Sequence, residues 1–212
     1  MRMLTANVLL LGHPHVPGAV TPEFLREREI IPAALELDRE APNVADQASA
    51  QLYFRGDWRV VVLPDRLHVF KDATASDADL TILAGIVSAY AQALPGIHHS
   101  AIGTNFGALV PQHLPARWIR DRFLRSDEVL GEAVCTGLQL RYNAAGTPLN
   151  VSFRETPSAP GSPPAMAFDA NMHRNLAGPD LVGAIAECTA RIVSDANYVD
   201  ALLSALLAPE RV

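Results

Sequence analysis

The chain has 212 residues, is 49% hydrophobic and 19% charged, and carries a formal net charge of −6. That length fits one large domain or two small, tightly joined halves, with enough apolar residues for a substantial core. The acid excess sets aside bulk attraction to nucleic acid or an anionic membrane, and no run approaches the ~18 apolar residues of a membrane-spanning helix.

Other compositional features narrow the setting. A charged share below the usual quarter leaves more of the surface apolar, which favours a buried subunit interface and hence a homo-oligomer. Lys71 is the only lysine, and with abundant alanine and proline this is the composition of a GC-rich bacterial genome. Cys135 and Cys188 are too few for a disulfide framework. The apolar run Asn7–Leu11 is too short for an export signal. A cytoplasmic protein is expected.

The first predicted strand, Thr5–Gly12, is apolar on both faces and so belongs in the middle of a sheet. Thr21 then offers an N-cap to a short helix with Pro22 at its first position, and Pro32 interrupts the segment. After the polar connection from Asn43 to Ala50, three strands follow. Ala50–Phe54 alternates, Gly56-Asp57 turns it into Trp58–Leu63, and Pro64-Asp65 turns that into Leu67–Phe70. Ser76 and Asp79 then form a capping box for a helix whose stripe is Leu80, Leu83, Val87, Tyr90 and Leu94, and Pro95-Gly96 ends it.

The second half follows the same plan. A strand over Ile97–Phe106 leads to a short helix with Pro115 near its start. Strands follow at Ala133–Tyr142, Leu149–Phe153 and Ala165–His173, with a loop rich in proline, serine and glycine between the last two. One long helix from about Pro179 to Leu207 carries Leu181, Ile185, Cys188, Ile192, Val199, Leu202 and Leu206 at helical spacing.

This order predicts an α+β fold, a mostly antiparallel twisted sheet with helices on one face. It reads as two β-α-β-β-β-α halves, 1–95 and 96–212, sharing one continuous sheet within one compact domain. Only in its predicted order of elements, the chain resembles the tandem saddle of the TATA-binding-protein-like folds. That resemblance implies a pseudo-two-fold sheet with the first strands of the two halves side by side at its centre, and it implies no function.

Such an arrangement brings His13 and His15 towards His98 and His99. Four imidazoles are a donor set for zinc, copper, nickel or iron, although alternation along a strand sends His98 and His99 to opposite faces. The competing reading makes them strand-end histidines at a polar sheet edge. No HExxH, paired cysteines or carboxylate partner accompanies them. Ala101 and Gly103 read as small residues for close packing.

The outward positions of the strands are polar. Arg55 and Arg59 lie there with Gln51, Tyr53 and His68 in the first half. Arg141, Arg154, Asp169, Asn171 and His173 lie there with Gln139, Asn150 and Ser152 in the second. Arginines among amides suit a carboxylate, a phosphate or an acidic partner segment, and the plain alternative is a solvated face. Few aromatics interleave with them, which disfavours RNA. There is no GxGxxG after a strand, no GxxxxGK[ST] and no GxSxG, so no organic cofactor or catalytic residue is indicated.

The expectation is therefore a non-enzymatic binding or assembly module. It would use its open polar sheet face to hold a second copy, another protein or an anionic small molecule. The alternatives are a histidine-site metalloenzyme of hydrolase type and a small-molecule carrier.

Overall fold

The computed structural model describes residues 4–112, 114–123, 137–144, 146–156 and 164–208. The fold is α+β, as expected: among the described residues, nine strands form an antiparallel sheet, accompanied by five α-helices. The strands are β1 (Thr5–His13), β2 (Val44–Ala45), β3 (Ala50–Phe54), β4 (Trp58–Leu63), β5 (Arg66–Lys71), β6 (His98–Pro111), β7 (Gly137–Ala144), β8 (Thr147–Thr156) and β9 (Ala165–Asn175). The helices are α1 (Pro22–Glu27), α2 (Asp77–Ala93), α3 (Pro115–Phe123), α4 (Leu181–Ala190) and α5 (Ile192–Leu207). The sheet order is β2-β3-β4-β5-β1-β6-β9-β8-β7, so β1 and β6 are neighbours. No helix among the described residues is long and apolar enough to cross a membrane.

The chain forms two compact units, residues 1–106 with 173–212, and residues 107–172. In the first, alternation sorts the strands cleanly. Leu4, Ala6, Val8 and Leu10 point into the core together with Leu52, Val60, Val62, Leu67 and Val69. Helix α2 packs on β1 and β5, and α4 and α5 pack on α2.

Local signals behave as the sequence dictates. The Thr21 hydroxyl accepts the Phe24 N–H at 3.2 Å. Ser76 Oγ accepts the Asp79 N–H while the Asp79 carboxylate accepts the Ser76 N–H, which closes the capping box. Gly56 and Asp57 both take positive φ, 78° and 62°, in the tight β3–β4 connection.

The expected single C-terminal helix is two. Asp180, rather than a residue at Pro179, caps α4 by accepting the Gly183 N–H at 2.8 Å. At Arg191 the backbone N–H turns to the Cys188 and Thr189 carbonyls, a tighter turn than an α-helix makes, and α5 restarts after it. The expected strand over 133–142 is described only from Gly137, and Cys135 lies outside the described residues.

In the second unit, Leu149, Val151, Phe153, Met166, Phe168, Ala170 and Met172 line the inner face of β8 and β9. Helix α3 covers β8 and β7. Trp118 and Phe123 lie 5.5 and 5.8 Å from Phe153, which lies 5.3 Å from Phe168. Burying each ring stabilises the unit by about 1.5–3 kcal/mol, which fixes the three-stranded platform whose other face is polar.

Candidate functional site

Of the four histidines, the fold takes two inside and leaves two out. His15 follows the end of β1 and is 3% exposed; His99, near the start of β6, is 2% exposed. Their rings lie 5.9 Å apart at an interplanar angle of 61°. His13 and His98 are exposed, in keeping with the opposite faces expected for His98 and His99. No group of three or more histidine, cysteine, aspartate or glutamate side chains that could hold one metal ion occurs among the described residues.

Tyr90 of α2 completes the buried cluster. Its hydroxyl lies 2.9 Å from His15 Nδ1, and its ring stacks on that imidazole at 5.7 Å. Sequence periodicity places Tyr90 in the apolar stripe of α2 and gives no sign that its hydroxyl reaches a histidine 75 residues away. Gly12 lets the β1 backbone approach: a Cβ there would sit 2.8 Å from His99 Nδ1. Three nitrogens, His15 Nε2 and both of His99, are buried with no hydrogen-bond partner among the described residues.

Burial sets the electrostatics of this cluster. It is the main cause that lowers the His15 pKa from 6.5 to about 4, aided by the charges of His99 and His13 and opposed by Asp65. Burial, then the charge of His98, lowers that of His99. Burial also raises the Tyr90 pKa. At neutral pH the cluster is two neutral imidazoles and a neutral phenol.

A second network occupies the outer face of the same unit. Tyr53, Arg59, Phe70 and Asn7 stand in one cross-strand row, and Gln51, Val61, His68 and Leu9 in the next. Asn7 Oδ1 lies 2.7 Å from His68 Nε2 and accepts from Asn105 Nδ2 at 2.7 Å. Burial, then the charges of Arg59 and Arg66, lowers the His68 pKa to about 4.

The arginines assigned to the sheet face are mostly engaged. Arg59 pairs with Asp72 at 3.3 Å and lies over the Phe70 ring at 3.9 Å. Arg55 follows β3 and pairs with Glu36 at 3.1 Å, beside a charged cleft of about 910 Å³ that also holds Glu23, Arg26, Asp38, Arg39 and Glu40. Such exposed pairs are worth about 0–1 kcal/mol, so they yield readily to a better partner. His173, in the first unit, lies 3.0 Å from Asn175 Oδ1.

On the second unit the polar residues of β7–β9 stand in cross-strand rows. Gln139, Ser152 and Asp169 form one cross-strand row, and Arg141, Asn150 and Asn171 the next. Arg154 pairs with Asp169 at 3.2 Å. Arg141 is exposed and makes no ion pair among the described residues.

One buried pair escapes sequence reasoning. Arg174 Nη2 donates to both carboxylate oxygens of Asp195, at 2.9 and 2.8 Å, with side chains 10% and 6% exposed. Burial raises the Asp195 pKa although Arg174 opposes the shift. Comparison with models of known protein families and with curated proteins gives no match, so a functional reading of this chain rests on its own residues.

Proposed function

We propose that the chain is a non-enzymatic binding or assembly module, and that it contacts a second copy of itself through the edge of β7. The observation that carries this reading is the state of β7. It is the last strand in the sheet order, so one of its backbone edges has no strand partner among the described residues. At eight residues it is long for an edge strand, and Arg141 is its only charged side chain. Its inner residues Leu138, Leu140 and Tyr142 are only half-buried, whereas their β8 counterparts Phe153, Val151 and Leu149 are fully buried.

A two-fold antiparallel pairing of two β7 strands centred on Leu140 satisfies these features together. It extends the ladder, covers the half-buried stripe, and sets Gln139 of each copy opposite Arg141 of the other, which keeps the two arginines apart. The outer rows of β7–β9 then continue across the junction as one polar surface.

Sedimentation equilibrium over a range of concentrations tests the reading. The wild type is expected to dimerise, and the Leu140→Lys variant, which sets two like charges face to face on the two-fold axis, to remain monomeric with an unchanged circular dichroism spectrum. A monomeric wild type, or a dimer indifferent to the substitution, overturns it.

A further inference from the structure

Inside the first unit, His15 Nε2, His99 Nδ1 and His99 Nε2 are buried without a hydrogen-bond partner among the described residues. Leaving one such group unpaired costs about 1–3 kcal/mol, so three in one cluster mark a place shaped for an occupant. Tyr90 fixes one end of His15: its hydroxyl engages Nδ1, so Nε2 is the ring nitrogen left for another partner. At His99 the β1 backbone comes up against Nδ1, where a Gly12 Cβ would sit 2.8 Å away, so Nε2 is taken as the ligating nitrogen.

The chemistry of the cluster selects among occupants. An anion has no charged donor there. A divalent cation needs compensating negative charge or a third strong ligand, and no set of three ligands forms among the described residues. A soft monovalent d10 cation needs neither, since it accepts two neutral imidazoles in a near-linear arrangement and sheds water easily. Two metal–nitrogen bonds of about 2.0 Å and the half-widths of two imidazoles span about 6 Å, against the observed 5.9 Å between ring centres.

We propose that His15 Nε2 and His99 Nε2 together bind one soft monovalent cation of the copper(I) class, with Tyr90 as the group that orients His15. His13 and His98, exposed and close enough for their charges to act on the buried pair, supply surface imidazoles for its capture.

The test uses the full chain titrated anaerobically with copper(I) against a chromophoric copper(I) chelator, with silver(I) as the redox-inert probe. Histidine ring nitrogens are followed by long-range proton–nitrogen NMR. One equivalent is expected to bind and to move the Nε2 signals of His15 and His99 while those of His13 and His98 keep their free positions. His15→Asn, which retains the reach to Tyr90, and His99→Asn are each expected to weaken binding more than 100-fold, and Tyr90→Phe about 10-fold with the fold retained. The wild-type spectra and Tyr90→Phe keep the proposal open to refutation if either asparagine variant misfolds. Failure to compete with the chelator, binding that survives in the His15→Asn, His99→Asn double variant, shifts confined to His13 and His98, or a water between the rings overturns it. The outcome is independent of whether β7 mediates a dimer.

Discussion

Acidification should loosen the first unit through His15. Its pKa falls from 6.5 to about 4 in the fold, chiefly through burial. The folded state therefore favours the neutral ring, and the stability linked to this group is complete above about pH 6.5 and is lost as pH falls towards about 4. The whole displacement is worth about 3 kcal/mol, of which about 2 kcal/mol is gone by about pH 5. The direct assay is an NMR titration of the His15 ring, with an apparent pKa near 4 expected. Urea unfolding at pH 7.5 and pH 5 gives the energetic counterpart. The His15→Asn variant should lose about 2 kcal/mol less than the wild type between those values, both measured with a metal chelator present. A His15 ring that titrates between pH 6 and 7, or a variant with the wild-type pH dependence, refutes the reasoning.

Two further expectations concern packing and charge. Gly12→Ala places a methyl 2.8 Å from His99 Nδ1, 3.0 Å from Ile97 Cγ2 and 3.1 Å from the His98 carbonyl oxygen. It should cost about 1–3 kcal/mol in urea unfolding and shift the His99 ring signals, because the β1 backbone blocks relaxation on one side. Asp195→Ala leaves the Arg174 guanidinium charged and buried, and should cost about 3–5 kcal/mol by the same measurement; Arg174→Met with Asp195→Leu should recover most of that loss.

Much of the fold follows from patterns that sequence carries locally. Alternation over Ala50–Phe54 and Trp58–Leu63 gives β3 and β4 to the residue, and Ser76 with Asp79 marks the start of α2. The all-apolar run of β1 indicates a strand away from the edge, which its place beside β5 and β6 bears out. Periodicity cannot reveal the break at Arg191, because the apolar stripe continues through it. It cannot reveal β2 either, since two residues are too few to alternate. The site divides on the same line. Which face Gln139, Arg141 or Asn171 occupies follows from alternation. The contacts Tyr90–His15, Asn7–His68 and Arg174–Asp195 join residues far apart in the chain, and side chains that meet only through tertiary packing leave no local mark.

The open edge of β7 is the feature on which the proposed contact depends, and amide hydrogen exchange reads it directly. Alternate backbone N–H groups over Leu138–Arg141 point away from β8, into the place a second β7 would take. Raising the protein concentration through the dimer range should slow the exchange of those amides while leaving the outer amides of β2, the opposite edge, unchanged. Exchange at β7 that does not depend on concentration would contradict the proposed pairing.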